Sequence, residues 1–202
     1  MVVKTRREEY AALTRSAILD AALELFGSDG YDLSSIDAIA KRARVSKGAF
    51  YHHFSEKKAI FDEVLREQMR LGTVEVAEAM VAAQGDSVYD GRTAALTGAR
   101  EMLRVFGESE VRRSLMRQAQ GVLGSERLRE IDEEQALPLV RGSLQAMAAE
   151  GQVRDVDLDL TAQIVFDMLC STAMTISSAD DPDTATARAQ IVVTHMVQGL
   201  FV

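Results

Sequence analysis

Apolar residues recur at three- and four-residue intervals along nearly the whole chain, the period of an amphipathic helix. Ala17, Ile18, Ala21, Ala22, Leu25 and Phe26 share one face and predict a first helix over about 8–28. Asp29-Gly30 ends it, Gly30 being suited to a left-handed cap. Ser34 then reads as an N-cap with Asp37 at the third helical position, close to a capping box. The helix it opens, about 35–43, buries Ile36, Ile39 and Ala40 by spacing. Arg44-Val45 makes a tight turn. Ser46 caps a short helix over about 47–54, and Ser55 caps a long one over about 56–83, broken at Gly85 and Asp86.

The helical pattern continues over 87–106, 109–123, 125–150, 157–178 and 184–201. Gly107, Gly124, Gly151 and the run SSADDPD at 177–183 supply the breaks. Pro138 should kink or divide the 125–150 segment. No segment alternates as a strand would, and no internal repeat is evident. The expectation is an all-α protein of about nine to ten helices in two parts. A domain over 1–56, with paired short helices at about 35–54, joins through the long helix to a larger one over 57–202.

Composition agrees. Only two prolines and thirteen glycines occur in 202 residues, of which 47% are hydrophobic. That is enough to bury a sizeable core. The one cysteine, Cys170, permits no internal disulfide, which fits a reducing cytoplasm. The first ten residues, MVVKTRREEY, lack the apolar run of a signal peptide. No stretch approaches the roughly 18 uninterrupted apolar residues of a membrane span. The expected location is therefore cytoplasmic, with no membrane partner.

Charge changes the picture. The net charge is −8, yet all five lysines lie at or before Lys58. From Lys41 to Lys58, Lys41, Arg42, Arg44, Lys47, Lys57 and Lys58 stand against one acid, Glu56. A local basic patch on an acidic chain points to an anionic partner at that patch.

The patch surrounds VSKGAFYHHFSEKK, residues 45–58. Phe50 and Phe54 are four apart and share a face, with His53 beside it, so these read as core. Adjacent histidines point about 100° apart on a helix, so His52 and His53 make no metal pair. No paired acid, activated serine or phosphate loop accompanies them, so neither catalytic nor metal residues are expected here. Ser46, Lys47, Gly48, Ala49, Tyr51 and His52 fall at the helix start or off its apolar face. Donors and positive partial charge at a helix N-terminus suit phosphate. Two short helices with a tight turn, the second rich in donors and flanked by cations, form a helix-turn-helix whose second helix enters the DNA major groove.

Residues 15–66 resemble the N-terminal domain of the tetracycline-repressor (TetR) family of bacterial regulators. The matching features run in order: the alanine-rich first helix ending in LFGSDGY, then SSIDAIAKRA, VSKGAFYHHF and SEKKAIF. The resemblance implies a phosphate contact from Ser34 and Ser35 at the start of the second helix. It implies that Ser46, Lys47, Gly48, Ala49 and His52 face the groove, Lys47 towards guanine and Ala49 towards a thymine methyl. It assigns backbone phosphate to Tyr51 and Lys57, contacts that set position rather than sequence choice. Lys41 and Arg42 read equally as groove-side or solvated, and Lys4, Arg6 and Arg7 as a flexible arm or a solvated tail. Arg44 departs from the family, which often has glycine there. If the turn needs positive φ, arginine costs about 1 kcal/mol and gains a phosphate contact in return.

The resemblance further implies a homodimer on an inverted-repeat operator of double-stranded DNA, formed through about 157–178 and 184–201. The apolar faces would be Ile164, Leu169, Ala173 and Ile176, then Ile191, Val192, Met196 and Leu200. A small-molecule effector would bind among the C-terminal helices, move the 56–83 helix and weaken DNA binding. Met102, Leu103, Phe106, Met116, Gln120, Met147, Phe166, Cys170 and Met174 are candidate lining. Each has a plain core reading beside it. Their methionines favour an apolar or aromatic guest. The function expected is a repressor released by its effector. Rival readings are an activator of the same fold, a regulator answering to a protein partner, sequence-independent DNA binding, or a helical enzyme with Cys170 as nucleophile and His195 as base. Nothing in the sequence orients that last pair. No enzyme activity and no cofactor are expected.

Overall fold

The computed structural model describes residues 6–85 and 90–202. Ten helices follow one another: α1 (Arg6–Ser28), α2 (Ile36–Arg42), α3 (Lys47–His53), α4 (Lys57–Ala82), α5 (Gly91–Glu108), α6 (Glu110–Leu123), α7 (Ser125–Gln135), α8 (Leu137–Ala149), α9 (Leu158–Ser177) and α10 (Pro182–Gln198). Among the described residues the only β pairing is an isolated antiparallel bridge, Val153 to Phe201. The predicted breaker Asp86, the predicted helix start at residue 87 and the arm residue Lys4 lie outside the described residues.

Local chemistry sets most boundaries. Gly30 takes φ +84° after α1, as a left-handed cap requires. Ser109, Asp157 and Asp181 cap α6, α9 and α10 through first-turn amides. Pro138 splits its segment by opening α8 in its first turn, where a missing N–H costs nothing.

Two predicted caps are corrected. Ser35, not Ser34, caps α2, accepting from the Ala38 amide at 3.1 Å. Ser34 is buried and donates to the Gly30 carbonyl at 2.7 Å, which turns it into the loop. Asp37 thus falls one position early for a capping box. Ser55 likewise lies one position before Glu56, the N-cap of α4, which supplies no side-chain bond.

The core runs unbroken from α1–α3 along α4 into α5, α6, α8 and α9. Phe26, Phe50, Phe61 and Phe166 are its largest fully buried side chains. Helix α4 is shared property: Ile60, Phe61 and Val64 bury near its start, Met69 and Val76 further along. By length and mean hydropathy, 1.3, helix α9 could cross a membrane, but Asp159 and Asp167 interrupt its apolar run. In α9, Phe166, Leu169 and Ile176 are buried in the core, and Asp159 meets Arg141 at 2.8 Å.

Candidate nucleic-acid interface and effector cavity

Helices α2 and α3 are joined by a turn whose geometry is fully hydrogen-bonded. The Arg44 amide donates to Lys41 at 3.1 Å and the Val45 amide to Ala40 at 3.0 Å, the paired bonds of a Schellman motif. That motif needs a left-handed residue, and Arg44 supplies it at φ +57°, the one positive-φ non-glycine among the described residues. The expected strain is therefore present. Ser46 then caps α3 by accepting from Ala49 at 3.1 Å.

Helix α3 divides by face. Phe50 and Phe54 are buried, the Phe54 ring lying 4.9 Å beneath the Arg15 guanidinium. His53 is half-buried beside them, and burial pulls its pKa down, helped by His52 and Arg15. Its ring nitrogens have no hydrogen-bond partner among the described residues, and its ring stands edge-on to that of His52 at 5.3 Å between centres. Ser46, Lys47, Gly48, Tyr51 and His52 are exposed together, with Ala49 half-buried at their edge. A Cβ added at Gly48 would meet only the Ser46 hydroxyl at 3.9 Å, so this side is open to a close partner.

Two predicted contact residues already have partners. The Lys47 ammonium pairs with Asp37 at 2.8 Å across the α2–α3 angle, and that hydrogen bond raises its pKa. Both groups are well exposed, so the pair is weak and opens easily. Lys57 donates to the Tyr31 carbonyl at 2.6 Å and stands 4.0 Å over the Tyr31 ring. It braces the loop after α1 rather than projecting freely. Ser34, being buried, cannot offer its hydroxyl to a phosphate, whereas Ser35 is exposed.

Sequence reasoning missed the residues that lock this head to the rest. Gln118 of α6 accepts from the Tyr31 amide and donates to the Phe26 carbonyl at 3.1 Å, where Ser114 also donates at 3.3 Å. On α4, Asp62 takes Arg127 at 2.6 Å and Arg66 takes Glu134 at 2.7 Å, both from α7. Glu75 holds Arg112 of α6. Spacing along the chain carries no signal for such pairs.

Beyond the lock lies an apolar cavity of about 70 Å³ whose wall includes Thr73, Met80, Met102, Phe106, Met147 and Phe201. A smaller one of about 20 Å³ shares Met102 and Phe106 and adds Met116, Cys170 and Met174. Three predicted lining residues fall elsewhere. Leu103 and Phe166 point into solid core, and Gln120 faces a surface groove with Asp132 and Asp167. Burial, aided by Asp167, pushes the Asp132 carboxyl up to about 6. Burial also raises the Cys170 thiol, keeping it protonated. His195 sits on another face, its Nδ1 at 2.9 Å from the Ile191 carbonyl, so no nucleophile–base pair is assembled.

Helices α9 and α10 leave an apolar face uncovered. Leu160, Ile164, Ile191, Val192 and Met196 are each more than half exposed. Leu169 and Ile176, expected on this face, are buried in the core instead, Ile176 against Gly107 of α5.

Comparison with known proteins agrees with this arrangement. Residues 18–64 match the model of bacterial regulatory proteins of the tetR family, and residues 92–200 match the tetracyclin repressor-like C-terminal domain. The HTH-type transcriptional regulator AcrR of Shigella flexneri is 45% identical over 64 residues, covering 32% of this chain and 29% of that protein. The regulator SrpR of Pseudomonas putida is 37% identical over 98 residues, 44% of this chain and 45% of that protein. These matches span less than half the length of either relative. A TetR-family regulator from Pectobacterium atrosepticum superposes with TM-score 0.77 at 25% identity, covering 98% of both chains. One from Mesorhizobium loti superposes with TM-score 0.75 at 22% identity, covering 98% of this chain and 100% of that one. With a family model spanning more than half of its length, and the paired short helices and helical C-terminal body in place, the chain belongs to the tetracycline-repressor family of bacterial regulatory proteins.

Proposed function

We propose that the chain is a cytoplasmic, sequence-specific DNA-binding transcriptional regulator, a homodimer on an inverted-repeat operator from which a small apolar effector releases it. The observation that carries this reading is the shared exposure of Ser46, Lys47, Gly48, Tyr51 and His52 on α3, opposite the buried Phe50 and Phe54. Such a helix offers donors and cations to a groove while its back is anchored. The uncovered face of α9 and α10 supports the dimer, since contiguous exposed apolar surface marks an interface. The cavity beside α4 supports effector control: α4 also carries the core contacts of the head. A ligand that prefers the setting of α4 that DNA disfavours lowers the protein's affinity for DNA by the factor by which DNA lowers its affinity for the ligand.

Selection of binding sites from random duplexes tests the reading. An enriched inverted repeat is expected, and no enrichment would sink it. Lys47→Ala should then cost about 1 kcal/mol and relax one base position. The cost sits at the low end because wild-type Lys47 must first leave Asp37. Lys57→Ala should weaken all duplexes alike. A uniform loss from both would remove Lys47 from the base contacts.

Arg44→Gly should relieve about 1 kcal/mol of left-handed strain, raising the stability of the turn, while weakening DNA binding through the lost cation. Affinity unchanged over a range of salt concentrations would show that Arg44 makes no phosphate contact.

A further inference from the structure

The acid that holds Lys47 stands on the same exposed side of the head as the donors of α3. Asp37 is the second residue of α2, and Ser35 already caps that helix. Its carboxylate is well exposed, and its one ion-pair partner among the described residues is Lys47, at 2.8 Å. Lys47 opens α3 beside the exposed Ser46, Gly48, Tyr51 and His52. The pair therefore carries a negative charge onto the face offered to a polyanion. An acid there weakens attraction to any phosphate.

The chemistry of the groove says what can offset that cost. When Lys47 swings to a guanine, Asp37 is left beside it without its partner. A carboxylate only accepts hydrogen bonds. Stripped of water against guanine O6 or N7, or thymine O4, it meets another acceptor and is repelled. The only donors on the major-groove edge are the amino groups of cytosine and adenine. Adenine's amino group lies between two acceptors, its own N7 and the thymine O4. In a G·C pair the two acceptors stand together on guanine and the donor stands alone on cytosine. An ammonium and a carboxylate side by side fit that edge in one orientation. We infer that Asp37 is a specificity-determining residue, accepting from the cytosine amino group of the base pair whose guanine Lys47 contacts. On other sequences it keeps Lys47 from phosphate and adds repulsion. The inference rests on the DNA-binding reading above and adds a second base-reading side chain to it.

Duplex selection with wild type and Asp37→Ala, followed by titration of the selected operator, is the test. Asp37 is exposed, so the variant should keep the wild-type Tm to within about 2 °C. Wild-type sites should fix a G·C pair at the position that Lys47→Ala relaxes, and Asp37→Ala should relax the same pair. Replacing that cytosine by 2-pyrimidinone removes the amino group and leaves the guanine intact. Wild type should lose about tenfold on this duplex and Asp37→Ala less than about twofold. On random duplexes Asp37→Ala should bind about threefold tighter, having lost a negative charge. An acid serving only the fold would instead weaken every duplex when removed. Identical selected sites for the two proteins, an equal loss for both on the 2-pyrimidinone duplex, or weaker binding of the variant to random duplexes would overturn the inference and leave the DNA-binding reading standing. No enriched repeat with wild type would remove both.

Discussion

Phe50→Ala is expected to cost about 3–5 kcal/mol of stability, concentrated in the N-terminal helices. Phe50 is fully buried, with Tyr51 edge-on at 5.5 Å and Phe54 at 6.3 Å between ring centres. Helix α3 has seven residues, far too few to hold a helix in water alone. Its position therefore depends on what its buried face grips, and the exposed donors are aimed only as well as that grip allows. Far-UV circular dichroism on heating should show the N-terminal helices melting early in the variant. Operator binding should vanish at temperatures where the C-terminal helices are still folded. Phe50→Leu, which keeps most of the volume, should recover most of both. A loss below about 1 kcal/mol for Phe50→Ala would mean that α3 is held from elsewhere.

Gly72→Ala should disturb both functional regions at once. A Cβ at this position would stand 2.5 Å from Phe106 Cζ and 3.1 Å from both Cε atoms. Helix propensity alone favours alanine by about 1 kcal/mol. The overlap works against it, because overpacking a core costs about 1–3 kcal/mol and moves neighbours. Phe106, with Met102, lines both cavities, so a displaced ring enters one or other of them. If the ring holds, α4 is pushed from α5, which alters the setting of the reading heads. Either route should change the shape of the cavities, and the second should also shift operator affinity by roughly tenfold. Phe106→Leu in the Gly72→Ala background should restore much of the loss, since the two residues share one contact. Wild-type Tm together with wild-type operator affinity in Gly72→Ala would show that the Gly72–Phe106 contact transmits nothing.

Gly72 also marks where reading along the chain stops. The sequence places α4 well, ending within a residue of its predicted 83, because apolar period and breakers are local. Nothing local says why glycine stands in the middle of a long helix. Its reason is an aromatic ring 34 positions away, met only when α4 and α5 pack.

The same division runs through the candidate site. Sequence alone determined the all-helical class, nearly every helix, the split at Pro138, and which face of α3 is core. The family resemblance raised a left-handed turn at Arg44 as a condition, and the structure supplied it at φ +57°. Each rests on groups within a turn of one another, and short-range chemistry has few alternatives there. Only tertiary structure decided that Ser34 is buried, that Lys47 answers to Asp37 and that Lys57 answers to Tyr31. It also decided that Gln118 ties the head to α6, and that Met80 rather than Leu103, Gln120 or Phe166 faces the cavity. A buried side chain presents one small arc of its helix to whichever neighbour packing brings. A shift of a third of a turn exchanges core wall for cavity wall, and apolar periodicity is the same for both.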